Sequence, residues 1–224
     1  MRKGRCAIGD ALTVWTAKGG KATAVSGNFT DFDTYQISRS GKTAWFLCDY
    51  DDEDDAGTLY QVEVGSGKAE KKDDDVYHIR YGDEQMLVYF KNYQAEDSSV
   101  TLFINGKKLE DDVSVNELTF NLDEDKLLFF TDYDSSKERG TLHLYSGGKA
   151  VKVADDVHSG YFAPDDSVLY LSDYSTSRDR GDLFRYDGGK SSKIDDDVNT
   201  VLTFLPDGYR LTANGITSRY RFCF

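Results

Sequence analysis

The chain has 224 residues, enough for one all-β domain, and its 40 acidic against 27 basic residues leave a formal net charge of −13. A surplus of that sign repels phosphate backbones and anionic lipid, and no clustered basic stripe offsets it, so no nucleic-acid partner is expected. No run approaches the ~20 apolar residues that a membrane span needs, and the basic start Met-Arg-Lys-Gly-Arg is followed by too short an apolar stretch for a signal sequence, so no membrane insertion by this chain is expected.

Residues 6–42 read as a first unit with no long loop, containing Trp15 and the turn Lys-Gly-Gly-Lys at 18–21. From there the chain repeats itself. Thr-Ala-Trp-Phe-Leu-Cys-Asp-Tyr at 43–50 returns as Met-Leu-Val-Tyr-Phe-Lys-Asn-Tyr at 86–93, Lys-Leu-Leu-Phe-Phe-Thr-Asp-Tyr at 126–133 and Ser-Val-Leu-Tyr-Leu-Ser-Asp-Tyr at 167–174. The tyrosines that end these runs, Tyr50, Tyr93, Tyr133 and Tyr174, are about 41 residues apart, a period typical of β-propeller blades.

The copy at 127–167 shows the pattern most cleanly. Leu127 to Phe130 is a continuous apolar run, which for a strand means burial on both faces and predicts the inner strand of a blade. A polar loop from Asp132 to Arg139 closes at Gly140, and Thr141 to Tyr145 forms a second strand. Ser-Gly-Gly-Lys at 146–149 supplies the glycines that a tight hairpin turn requires. A third strand, Ala150 to Ala154, stops at Asp155-Asp156-Val157, and a fourth runs near Gly160 to Ala163. The turn recurs at 18–21, 65–68, 105–108 and 187–190, and the Asp-Asp-Val stop at 74–76, 111–113 and 196–198. Both prolines, Pro164 and Pro206, start a turn at one repeat position, where a missing N–H costs nothing.

These observations predict an all-β protein: a single β-propeller over 1–224, built of four-stranded antiparallel blades, five in number. The blades span approximately 6–42, 43–85, 86–126, 127–167 and 168–210, with 211–224 as a closing strand against blade one. A fragment of a larger propeller is the competing reading.

Most eye-catching motifs dissolve into the repeat. Gly-Ser-Gly-Lys at 65–68 lacks the first glycine, the Ser/Thr and the following helix of a phosphate loop. His143 aligns with Trp15, Tyr60, Phe103 and Phe184, so it fills an aromatic slot, while His78 and His158 align with neither it nor each other. Asp49, Asp132 and Asp173 end the apolar runs, as a pair of channel carboxylates in a propeller glycosidase would, but Asn92 breaks the series. Asp49 to Asp55 is dense in carboxylates without the spacing of an EF-hand. No cofactor is expected, with Ca²⁺ the one candidate ion. Cys48 reads as an inert half-buried thiol. Cys6 and Cys223 lie near opposite ends, where ring closure leaves them either paired or free.

The loops between the first and second strands and between the third and fourth share one end of every blade. That end collects Asp49, Asp51, Asp52, Asp54, Asp132, Asp134 and Asp173 together with the Asp-Asp-Val aspartates, whereas the turn lysines, among them Lys108, fall at the other. An acidic face of this kind steers cationic partners. The named aspartates are therefore the candidate binding residues, the expected partner is a protein or basic ligand, and the chain is expected to be monomeric. No catalytic residue stands out.

Together, the apolar run ending in Asp-Tyr, the polar loop, Gly-x-Leu-aromatic, Gly-Gly-Lys, Asp-Asp-Val and Pro-Asp-Gly resemble the WD40-like, TolB-type propeller repeats, most of all those of bacterial, clostridial-like envelope-associated proteins. The resemblance covers roughly 43–210. It implies a propeller that serves as a docking scaffold, with an extracytoplasmic location in membrane-anchored relatives. The reading is thus a non-enzymatic binding module. The alternative is a propeller hydrolase or lyase with a divalent cation at its central channel.

Overall fold

A computed structural model describes residues 12–14, 23–25, 35–51, 53–64, 69–201, 203–204 and 210–211. Every regular element among them is a β-strand. The chain forms two compact units, Met1–Asp111 and Asp112–Phe224.

In the first unit, β1 (Leu12–Val14) pairs antiparallel with β2 (Thr23–Val25). A meander follows in chain order: β3 (Tyr35–Ile37), β4 (Thr43–Asp51), β5 (Ala56–Glu63), β6 (Ala69–Gly82), β7 (Leu87–Gln94), β8 (Ser99–Ile104) and the start of β9 (Lys107–Phe120). The second unit holds the rest of β9, then β10 (Leu127–Asp134), β11 (Arg139–Ser146), β12 (Lys149–Phe162), β13 (Val168–Ser175), β14 (Arg180–Asp187) and β15 (Lys190–Val198). In it, β16 (Thr203–Phe204) and β17 (Arg210–Leu211) pair separately. Phe204 faces Arg210 across Pro206 as Phe162 faces Val168 across Pro164, so the repeat continues past β15.

One expectation is corrected. The third and fourth strands of each repeat are a single long strand, and Asp-Asp-Val is a corner inside it. In β12, Ala150 pairs with Tyr145 of β11, Phe162 pairs with Val168 of β13, and Val157 pairs with both Gly140 and Ser172. β6 turns in the same way, with Val76 between Gly57 and Lys91. The cause is one left-handed residue at each corner: φ is 52° at Asp75, 53° at Asp112, 53° at Asp156 and 58° at Asp197. Such a residue makes a bulge, which bends a strand and raises its twist without ending it.

Each four-stranded group therefore begins one strand earlier than the repeat suggests. The apolar run is its second strand, flanked by partners on both sides, and not the first. Among the described residues the sheet is open, since β3 and β15 each have one hydrogen-bonded neighbour. The expected closing strand beyond Leu211, the turns at 18–21 and 65–68, Trp15, Pro206, Cys6 and Cys223 lie outside the described residues.

Burial on both faces of the run is as expected. Ala44 to Cys48 are all buried, and because side chains alternate across a strand they feed different clusters. Trp45 and Leu47 pack with Leu59, Val76, Ile79, Leu87 and Tyr89. Ala44, Phe46 and Cys48 pack on the other side with Val62. In the second unit, Leu128, Phe130 and Leu142 meet Val157, Phe162, Val168 and Tyr170. Each such aliphatic side chain contributes roughly 1.5–3 kcal/mol by leaving water.

The run and the strand after it also share an aromatic ladder. Phe46 stacks on Tyr60, Tyr89 on Phe103, Phe129 on His143 and Tyr170 on Phe184, with ring centroids 5.9, 5.3, 5.0 and 5.3 Å apart. His143 thus occupies the slot that its alignment assigns. It adds a hydrogen bond that aromatic hydrocarbons cannot make, between Nε2 and the Thr131 hydroxyl at 3.0 Å.

Candidate functional site

In each unit the loop after the apolar run and the Asp-Asp-Val corner come to the same end of the strands, because the glycine that closes the loop pairs with the valine of the corner. Asp49 and Asp51 lie at the end of β4 and Asp54 between β4 and β5 of the first unit, and Asp52 is outside the described residues. Asp132 and Asp134 lie at the end of β10 in the second unit, and Asp173 near the end of β13.

Backbone conformation accounts for much of this acidity. Asp49, Asn92, Asp132 and Asp173 all have φ between 51° and 54°, and each sits where the pairing of its strand slips. A second set, Asp55, Ser98, Glu138 and Asp179, is left-handed at the end of the same loops, with φ between 48° and 57°. Asp and Asn tolerate this region better than other side chains with a Cβ, so Asn92 belongs to the series on conformation although it breaks it on charge.

Other carboxylates are held by neighbours. Asp51 accepts from the Glu53 amide at 2.9 Å. Asp134 accepts from the Ser136 amide and hydroxyl and pairs with Lys137; the lysine hydrogen bond, then that of the serine hydroxyl, hold its carboxyl well below the usual range. The first aspartate of the corner repeats one arrangement three times. Asp74, Asp111 and Asp155 each pair with the lysine three residues earlier, Lys71, Lys108 and Lys152, at 2.6, 2.5 and 2.9 Å. Each also accepts from a threonine across the strand, Thr58, Thr101 or Thr141. In the fourth copy Asp182 replaces the threonine, and Lys193 bridges it to Asp196.

The division into an acidic and a basic end is accordingly weaker than the sequence suggests. Lys108 belongs with Asp111. The opposite end carries, besides Lys107, Lys149 and Lys190, the turns that hold Asp83 and Glu84, Asp123 to Asp125, and Asp165 and Asp166. There Lys126 pairs with Asp166 and Arg185 with Asp165. Among the described residues no group of three or more His, Cys, Asp or Glu is arranged to hold a metal ion.

A second feature, one stacked ring pair in each unit, was not expected from the sequence. The residue after the corner valine is Tyr77 in β6 and His158 in β12, and each lies flat on the tyrosine that ends the next apolar run. Tyr77 stacks on Tyr93 at 4.4 Å and His158 on Tyr174 at 3.6 Å, both with 4° between planes. His158 donates its Nδ1 hydrogen to the Glu138 carbonyl at 2.8 Å, since a carbonyl can only accept. Tyr174 donates to Asp179, which also accepts from Asn199. Burial, together with Asp179, pushes the Tyr174 phenol up to about 12. Burial raises the Glu117 carboxyl too, with His158 pulling the other way. Aligning the positions that follow Asp-Asp-Val (Tyr77, Ser114, His158 and Asn199) would have exposed this slot.

No family model matches the chain, and no curated protein matches it. Solved structures do resemble it in part. Acylaminoacyl peptidase of Pyrococcus horikoshii is 12% identical with a TM-score of 0.48, covering 92% of this chain and 41% of its own. The β-propeller domain of the trilobed protease of Pyrococcus furiosus is 15% identical at 0.44, covering 79% and 62%. TolB of Acinetobacter baumannii is 15% identical at 0.40, covering 84% and 49%. The chain therefore spans less than two thirds of the length of each.

Proposed function

We propose that this chain is a β-propeller binding module that docks a cationic protein segment on the acidic loop ends of its blades. The observation that carries the reading is the left-handed backbone at Asp49, Asp132 and Asp173. It fixes exposed carboxylates in repeated positions, so a partner meets negative charge that is already ordered and avoids part of the entropy cost of binding. Each unit offers its own proposed contacts, the aspartates at 49, 51, 52 and 54 in the first and those at 132, 134 and 173 in the second. In the same reading the blades number five and close into a ring through 211–224, which the pairing of β16 with β17 supports by continuing the repeat.

The test is association with a nona-lysine peptide across ionic strength. Steering by these carboxylates predicts an on-rate that falls steeply with salt and drops further when Asp49, Asp132 and Asp173 are replaced by Asn, which keeps the backbone. No binding at low salt, or binding indifferent to those replacements, overturns the reading.

A further inference from the structure

Among the described residues that end an apolar run, Tyr133 follows a corner that breaks the repeat, and the break coincides with a half-buried carboxylate, Glu117, held by no hydrogen bond or ion pair. Where Tyr93 is covered by Tyr77 and Tyr174 by His158, the corner of β9 that precedes Tyr133 carries Ser114 at the equivalent position, and the next residues, Val115, Asn116 and Glu117, carry no ring either. Among the described residues, the ring contact of Tyr133 is an edge-on one with Phe130 at 5.7 Å, so its face has no stacked partner.

The same corner is also two residues longer than its counterparts. Val113 and Leu118 take the register positions that Val157 and Gly160 take in β12, five steps instead of three. The added length brings Glu117 into electrostatic reach of Tyr133, His158 and Tyr161. Among the described residues no hydrogen bond or ion pair is made by the Glu117 carboxylate. Glu138 flanks the same ring from the β10–β11 loop, lying near both Tyr133 and Tyr174. An incompletely partnered half-buried carboxylate costs folding energy that a ligand cation would offset.

We propose that the Tyr133 ring, on which no other ring stacks, receives an arginine side chain of the docked segment, its guanidinium stacked on the ring and paired with Glu117. The inference rests on the docking reading above and names its anchor. A guanidinium is planar, as are the rings of Tyr77 and His158 that fill the equivalent slots, and its forked N–H groups match a carboxylate. Lysine ammonium offers neither property. Charge complementarity is completed by Glu138 at the rim, and the aromatic face attracts the cation directly.

The experiment compares nona-arginine with nona-lysine, two peptides of equal charge, on the whole chain. The wild type is expected to bind nona-arginine about fivefold more tightly, the scale of one cation–aromatic contact joined to a bidentate pair. Ser114→Tyr, which supplies the ring the repeat lacks, and Glu117→Gln, which keeps the shape and removes the charge, should each abolish that preference, so that each variant binds nona-arginine no more tightly than it binds nona-lysine. Equal affinity of the wild type for both peptides overturns the arginine slot and leaves the docking reading standing, whereas binding of neither overturns both. A preference that survives Glu117→Gln also overturns the slot, and this variant serves should Ser114→Tyr fail to fold.

Discussion

Tyr89 on β7 donates its hydroxyl to the Asp73 carboxylate on β6 at 2.5 Å, and Lys91 reaches the other oxygen of the same group at 3.0 Å. The ammonium also lies 5.4 Å from the Phe103 ring centroid. Lys91 takes the position that Cys48, Thr131 and Ser172 hold in the other copies, so this copy alone puts a charge there. Its partner is the least exposed carboxylate in an ion pair among the described residues, with the lysine side chain 17% and the aspartate 23% exposed.

Burial pushes the Asp73 carboxyl up, but the hydrogen bonds from Tyr89 and Lys91 outweigh it and leave the group below its ordinary 3.8. A depressed carboxyl stabilises the fold above its unfolded value, and that contribution is lost as pH falls through the folded one. Lys91→Met should therefore lower stability at pH 7 by about 1–3 kcal/mol, between the values for exposed and fully buried pairs. It should also flatten the loss of stability below pH 4. Urea denaturation at pH 7 and pH 3 reads both effects.

Glu117 behaves in the opposite sense. Its carboxyl is raised above the ordinary 4.5, so the folded state binds the proton more tightly than the unfolded one. The stabilisation is fully present below the unfolded value and is lost as pH rises through the folded value. Glu117→Gln is expected to melt higher than the wild type at pH 7, and the difference should vanish toward pH 4. A variant that melts lower at pH 7 would show that the charged carboxylate has a partner in the free protein.

Conformation and charge separate at Asp132. With φ of 51°, Asp132→Asn should change stability by less than about 0.5 kcal/mol, whereas Asp132→Val should cost roughly 1–2 kcal/mol for a β-branched residue in the left-handed region. Equal losses in chemical denaturation would mean that the carboxylate itself stabilises the loop.

Gly140 closes that loop against the bulge. A Cβ there would lie 2.8 Å from the Thr131 carbonyl oxygen and 3.0 Å from the Tyr133 Cα, both backbone atoms. Gly140→Ala should destabilise by about 1–3 kcal/mol, the usual cost of overpacking, and Gly181→Ala likewise, since its Cβ would meet the Ser172 carbonyl oxygen at 2.8 Å.

Cys48 is 3% exposed, and burial, then the neighbouring Asp49, pushes its thiol up to about 11. In a chain with Cys6 and Cys223 changed to Ser, a thiol reagent at pH 8 should label Cys48 no faster than the protein opens, since the thiolate is the nucleophile. Labelling at the rate of a free thiol would contradict its burial.

Strand content, the double burial of Leu127 to Phe130 and the aromatic slot of His143 were legible in the sequence, because each depends on side-chain periodicity within one strand or between neighbours. The corner at Asp155-Asp156-Val157 was misread as a stop, since aspartates near a strand end look alike whether they terminate it or bend it. The direction was decided by φ at Asp156 and by pairing on both sides of Val157. Glu117 carried no signal of its own; only the lengthened corner of β9 brings it to Tyr133.

What the sequence determined by itself was therefore the repeat, its strand character and the columns in which acids recur, all of which follow from local steric preference and alternation. Only the tertiary structure decided which acids are spoken for and which strand begins each sheet. It alone also showed where the repeat leaves a ring uncovered. Those outcomes depend on which residues meet across strands, and a one-dimensional pattern with a period of about 41 has no phase from which to read them.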